Sequence, residues 1–272
     1  MKSKTLYIIF FSLLLCSCEK EIELDYRDIE PIYVVNAGIC NEGCEVSITK
    51  TRDIDNPIIS DGIEVQSVVI SDISGEKYVL TYSSDGKYHS DKLIGISGMT
   101  YTLSLMIDDV TVESTSTMPY AVEIKNISMH WEEMMGNDML HLVINVEDKA
   151  PDINYYYYRV LRNGKLFKWN VVKELDSNAS STEFDISLMS RDKAEKNDPD
   201  DYDSIIFEDD DITVEVRAID LQTYDYLFSA KLSGQSSSNP INNFNTDSIL
   251  GYFSAYYTTS CSFKFYYKDV AE

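Results

Sequence analysis

The sequence predicts a mainly β protein made of two antiparallel β-sandwich-like domains, the second carrying one amphipathic helix. Three observations lead there. Short runs rich in β-branched and aromatic residues alternate apolar and polar positions along nearly the whole chain, which is the period of a half-buried strand. Glycine, asparagine and aspartate punctuate those runs at short intervals, and a single stretch has helical spacing between a cap and a stop.

In the first domain, residues 31–119, strands are expected at Tyr33–Ile39, Glu45–Thr51, Val65–Ser71, Lys77–Tyr82, Tyr101–Ile107 and Thr111–Thr117. "DISGEK", "SSDGKY" and "GISGMT" turn the chain at Gly75, Gly86, Gly95 and Gly98. Met118-Pro119 closes the domain, because proline has no N–H to give to a ladder.

The second domain, residues 120–272, has expected strands at Glu123–Trp131, Met139–Val146, Tyr155–Asn163, Lys165–Val172, Thr182–Leu188 and Ile212–Ile219. Asn163-Gly164 between strand-like arms is a hairpin signal. Asp220 can cap the segment "LQTYDYLFSAKLS", residues 221–233, in which Leu221, Tyr224, Leu227, Phe228 and Lys231 share a face and which Gly234 can end. A polar loop, "GQSSSNPINNFN", leads to a final pair of strands, "ILGYFSAYYTT" and "CSFKFYY".

The amino terminus carries an address. Lys2 and Lys4 precede an apolar run from Leu6 to Leu15, the layout of a secretory leader. The run is about half of the roughly 20 residues needed to span a bilayer, and Glu19, Lys20 and Glu21 follow it closely. The stretch "LLLCSCEKE" resembles a bacterial lipobox, with the small Ser17 just before Cys18; Leu15 makes Cys16 the poorer candidate. The expectation is a signal peptide over residues 1–17, a diacylglycerol on Cys18 and a tether over residues 18–30. Two or three acyl chains, at about 0.8 kcal/mol per buried methylene, would hold the body permanently on a membrane that no later segment is apolar enough to cross.

The net charge of −23 becomes more negative still when Lys2 and Lys4 leave with the leader. Such a field disfavours nucleic acid and anionic lipid as partners and permits cations or basic ones. Among the remaining cysteines, Cys40 and Cys44 flank a turn-forming Asn41-Glu42-Gly43, and in an exported chain this places a disulfide between them. Cys261, in an aromatic strand, is read as a small buried hydrophobe. His89, His130 and His141 show no ligand spacing with the cysteines or with one another, so neither a metal nor any other cofactor is expected.

The run "DPDDYDSIIFEDDD" places Asp198, Asp200 and Asp203 as calcium candidates. It lacks both the glycine of a sharp calcium-binding turn and a glutamate at the twelfth position, where Asp209 stands, so a solvated acidic loop is the simpler reading. Tyr155 to Tyr158 must alternate across a strand, one pair toward a core and the other exposed or beneath the helix. No "G-x-S-x-G" elbow occurs, and pairs of carboxylates among 46 acidic residues signify nothing. The chain reads as a non-enzymatic one.

The order of several weak motifs is informative. "VVNAGI", "SDISGEKYVLTYSSDGKYHS", "GISGMTYTLSLMI", the Thr-Met-Pro boundary, "NYYYYRVLRNG", "DDITVEVRAIDLQTYDYLFSAKL" and "NPINNFNTDSILGYFSAY" together resemble domain-of-unknown-function family 4249 of Bacteroidetes outer-membrane lipoproteins. The "SGEKYVLTYSSDGKY…GMTYTLSL" portion also looks like immunoglobulin-like or transthyretin-like repeats. The resemblance implies an outer-membrane, cell-surface protein, commonly beside a TonB-dependent transporter for nutrient uptake, and it implies no reaction. "EKEIELD" after Cys18 is similar to acidic surface-export tags of this phylum, and Asp-Ser-Ile at Asp203–Ile205 and Asp247–Ile249 resembles its O-glycosylation acceptor, which makes Ser204 and Ser248 candidates. Members commonly have glycine before the aspartate that opens the "DITVEV" strand, where this chain has Glu208 to Asp211. Two functional classes follow: a binding or accessory module for a nutrient, a glycan or a transporter, or a structural and adhesive protein that pairs through its strands.

Overall fold

The computed structural model describes residues 30–51, 62–148, 154–174, 181–196, 199–233 and 239–271. The leader, Cys18 and the tether up to residue 29 lie outside them, as does Asp198. The body from Pro31 onward is a compact unit of its own.

Among the described residues fifteen strands follow in order: β1 Tyr33–Cys40, β2 Gly43–Lys50, β3 Ser67–Asp72, β4 Lys77–Val79, β5 Thr81–Tyr82, β6 Lys87–His89, β7 Thr100–Ile107, β8 Val110–Thr117, β9 Val122–Met134, β10 Asn137–Asp148, β11 Tyr155–Arg162, β12 Lys165–Lys173, β13 Ser181–Ser190, β14 Asp211–Ile219 and β15 Ile249–Lys264. Two α-helices among the described residues, α1 Arg191–Lys196 and α2 Leu221–Ser233, accompany them. Among the described residues no helix is long and apolar enough to cross a membrane. The strands form one eight-stranded sheet in the order β12-β11-β14-β15-β1-β2-β6-β5, a three-stranded sheet β13-β10-β9 and a four-stranded sheet β4-β3-β7-β8.

The eight-stranded sheet is the spine. β1 and β15 pair in parallel from Tyr33–Ile249 to Cys40–Tyr256, while β15 pairs antiparallel with β14 through its second half. Successive side chains of a strand point to opposite faces. On β15 the odd positions Ile249, Phe253 and Ala255 enter one hydrophobic core with Val35, Ile39, Ile48 and Leu103, and the odd positions Tyr257 and Phe263, followed by Phe265 just beyond the strand, enter a second with Tyr156, Val214 and Leu142. Both cores therefore lie on one face of the spine, under the four-stranded and the three-stranded sheet respectively. The expected boundary after Pro119 falls between Met118 of the first core and Val122 of the second, and the shared strand β15 joins the two halves into one sheet.

The even positions of β15 face the other way. There Tyr252 and Tyr256 join Tyr155, Tyr157, Val171, Ile219 and α2 in a smaller third cluster. Asp220 caps α2, its Oδ1 accepting from the Thr223 N–H at 2.8 Å, while its Oδ2 accepts from Ser116 Oγ of β8 at 2.6 Å. Leu227 and Tyr224 pack inward, but Leu221 and Phe228 of the expected apolar face are 49% and 44% exposed, so the buried stripe is narrower than the spacing suggested.

Two expectations are corrected. The final pair of strands is the single strand β15, because its two halves pair with different partners and need no turn between them. The strand expected at Lys77–Tyr82 breaks at the buried Leu80, whose N–H donates to the Val68 carbonyl; β4 then belongs to the small sheet and β5 to the spine. The turn before β14 needs no glycine, since Asp209 takes the left-handed conformation there, with φ of 72°.

Candidate functional site

A cavity of about 600 Å³ opens on the outer face of the spine, at the seam where β15 meets β1. Alternation along the strands decides what lines it. Asn36, Gly38 and Cys40 come from β1, Ser47 from β2, Arg159 from β11, Arg217 from β14, and Tyr252 and Tyr256 from β15, with His89 and Asp91 at the rim. Gly38 is the position where a side chain would intrude, since a Cβ there would stand 2.9 Å from Tyr256 Cε1.

The floor carries a charge network. Arg159 Nη2 donates to Glu215 Oε2 at 2.5 Å, and Arg217 Nε donates to Glu215 Oε1 at 2.5 Å. The Arg217 guanidinium lies 4.3 Å from the Tyr256 ring centroid and 5.6 Å from that of Tyr157. Burial works against the Glu215 charge, yet the hydrogen bond from Arg159 and the two guanidiniums outweigh it and hold its carboxyl below the ordinary glutamate range. Burial likewise opposes the charge on Arg217, and Tyr256, Glu215 and Tyr252 more than restore it. Tyr256 is pushed upward, by burial first, with Arg217 opposing and Cys40 adding to the shift. At neutral pH the floor is a fixed set of two cations, one anion and neutral phenols. Arg159 Nε is buried without a hydrogen-bond partner, a donor held ready at the cavity.

The sequence-derived candidates fall elsewhere or change character. Cys40 and Cys44 are both free, and the disulfide is corrected. Cys40 pairs with Gly43 and Cys44 with Ile39, so the two-residue turn puts adjacent register positions on opposite faces: Cys44 packs with the first core, and Cys40 looks toward Tyr256. Burial raises the Cys44 thiol, which keeps it protonated. Cys261 is exposed, not a buried hydrophobe.

Asp200 and Asp203 lie on a 3₁₀ turn, Pro199–Ser204. The order of the acidic loop comes from Arg162, whose Nη1 donates to the Tyr202 carbonyl at 2.7 Å and to that of Ile205, and from Lys193, which pairs with Asp201 at 2.7 Å. Tyr156 and Tyr158 are buried in the second core, while Tyr155 and Tyr157 lie against α2. Ser204 Oγ donates to the Asp201 carbonyl, and Ser248 is exposed beside Thr246. Finally, His130 and His141 stand directly opposite each other on β9 and β10, so the reading that these histidines are unrelated is also corrected.

A family described as Domain of unknown function (DUF4249) matches residues 19–262. The chain belongs to this family. No curated protein matches it. Among solved structures, it is similar to a two fibronectin type-III domain segment from chicken tenascin at 13% identity and a TM-score of 0.24, over 87% of this chain and 100% of that one.

For this DUF4249 chain, the residues that sequence reasoning passed over are Arg159 and Arg217, which line the cavity, and Glu215, which holds them. A signal for them exists in "YRVLR" and "VEVRAI", where charged residues alternate with valine on strands that must be covered on both faces. Knowing that they meet requires the register of β11 against β14, which sets Arg159 opposite Glu215 and Tyr157 opposite Arg217.

Proposed function

We propose that the protein is an envelope lipoprotein, anchored through Cys18 and facing outward from the outer membrane, whose body is a non-enzymatic binding module. The observation that carries this reading is the cavity of about 600 Å³ on the outer face of the spine. It lies within the roughly 300–1,000 Å³ range of ligand sites and combines tyrosine rings with a few fixed polar groups. Its guanidiniums are already held by Glu215, so a ligand would meet donors that need no reorganisation. Tyrosine faces beside hydrogen-bonding groups suit a polar, hydroxyl- or amide-bearing ligand, such as a glycan or an extended segment of a transporter. Family membership and the lipobox-like Ser17-Cys18 support the placement.

The alternative, adhesion by strand addition, has less support. The spine's edge strand β12 carries Lys165, Lys168 and Lys173, the kind of charged edge that resists pairing with another chain.

Mild crosslinking in native membranes, followed by affinity purification, tests the reading. Wild-type protein is expected to retain a transporter or glycan that Ser47→Trp, which fills the cavity, loses. Equal recovery by both proteins overturns the cavity as the binding site. Cys18→Ser is expected to release the body into the soluble fraction without incorporating labelled palmitate; membrane retention of that variant overturns the anchor.

A further inference from the structure

The outer face of the three-stranded sheet β13-β10-β9 carries a second group of residues, remote in sequence from the cavity. His130 and His141 are register partners across the β9–β10 hairpin, with ring centroids 5.5 Å apart. Glu132 lies two positions along β9 on the same face, its Oε2 3.7 Å from His130 Nε2 and 3.8 Å from His141 Nδ1. Asp185 of β13, facing the same way, places Oδ1 2.6 Å from His141 Nδ1. One donor atom from each of His130, Glu132 and His141 can be chosen so that all lie within 4.8 Å of one another.

We infer that His130, Glu132, His141 and Asp185 form a binding site for a divalent transition metal of the zinc class. Zinc in tetrahedral coordination holds nitrogen and oxygen ligands at about 2.0–2.2 Å, which sets donors about 3.3–3.6 Å apart. The 3.7 and 3.8 Å separations from Glu132 are close to that spacing, and with the three donors within 4.8 Å of one another the side chains must draw together by up to about 1.2 Å around an ion. Two imidazoles with carboxylates suit zinc, cobalt or nickel, whereas calcium and magnesium take oxygen ligands.

The environment fits a site more than a surface coincidence. His141 is 4% exposed although it lies on the face away from the core. Its Nε2 is buried without a hydrogen-bond partner, so nothing at that atom fixes the tautomer. A carboxylate oxygen accepts, so in the metal-free form Nδ1 carries the proton shared with Asp185 Oδ1. Metal binding at Nδ1 moves the ring proton to Nε2, breaks the Nδ1–Asp185 hydrogen bond and frees the Asp185 carboxylate to become a fourth ligand. Glu132 and Asp185 remain about half exposed, leaving a path for the ion.

The backbone is held on every side. β9 is flanked by β10 and by Ala271, which accepts from the Trp131 N–H at 2.9 Å and donates to the Met129 carbonyl at 3.0 Å. A β-bulge between Leu140 and His141 re-aims the histidine relative to β13, a device common beside functional sites.

Titration of the full-length protein with Co²⁺, read by its visible absorption bands, tests the inference. One equivalent is expected to give bands whose intensity reports nitrogen-containing, low-coordinate ligation, and Zn²⁺ is expected to displace it. His130→Ala, at a partly exposed side chain, and Asp185→Asn are each expected to weaken binding at least about 10-fold. Asp203→Asn in the acidic loop is expected to leave it unchanged, which separates a site from attraction to a chain of charge −23. Absence of saturable binding in the wild type, or equal affinity in the His130 and Asp185 variants, overturns the inference. His141→Gln adds a further check where its melting curve shows a folded protein.

Discussion

Gly38 of β1 lies beneath the ring of Tyr256 of β15, so close that a Cβ at position 38 would stand 2.9 Å from Tyr256 Cε1. The absence of a side chain in "VVNAGI" lets a tyrosine from the far end of the chain lie down at the seam and form a wall of the cavity. Gly38→Ala is therefore expected to displace that ring at a cost of about 1–3 kcal/mol. Urea unfolding would read the loss of stability, and tyrosine fluorescence the displacement. An unchanged midpoint would mean that the ring moves without strain.

Glu215 holds the two guanidiniums of the cavity floor. Glu215→Gln leaves Arg159 and Arg217 without their shared anion and is expected to destabilise the body by about 3–5 kcal/mol near neutral pH. Because the folded carboxyl is held below its unfolded value, this contribution is fully present above the ordinary glutamate pKa and disappears as pH falls through the lowered one. The gap between wild-type and variant unfolding midpoints should accordingly close in acid. A gap that persists there would assign the cost to packing.

Asn41, in the turn between β1 and β2, acts as an extra rung of the β1–β15 ladder. Its Oδ1 accepts from the Thr258 N–H at 2.8 Å, and its Nδ2 donates to the Thr258 carbonyl at 3.1 Å. Asn41→Ala is expected to cost about 1–3 kcal/mol and to speed hydrogen exchange at Thr258 first. Exchange accelerated evenly along β15 would contradict a local role.

The cysteines of the first hairpin make a chemical prediction. Cys40 and Cys44 lie on opposite faces of the strand pair, so both thiols are free. Alkylation of denatured, unreduced protein should add two groups to the tryptic peptide that contains both residues, and reductant should leave the melting temperature unchanged.

Much of the framework is legible in the residues themselves. Asn163 and Gly164 turn the β11–β12 hairpin with φ of 50° and 77°, the pair of positive angles that the dipeptide favours. Asp220 caps α2 where a side-chain acceptor precedes a helical spacing. Tyr155 to Tyr158 divide between two faces because a strand leaves them no choice. Each of these is a local fact, settled within a few residues.

What local reasoning misread depends on partners. Leu80 breaks an expected strand because Val68 claims its N–H for another sheet, and Cys44 turns away from Cys40 because the turn contains two residues and not three. His130 and His141 face each other only once the "EEMMGND" connection sets the β9–β10 register.

By itself, then, the sequence determined the period of each element and the position of its turns and caps, because backbone sterics and side-chain alternation act over a handful of residues. Only the tertiary structure decided that β1 pairs in parallel with β15, that both cores share one face of a common sheet, and that Arg159, Glu215, Arg217 and Tyr256 meet on the other. The physical reason is that such pairings are chosen by the burial of whole faces against one another, and alternation along one strand says which residues share a face without saying what that face will meet.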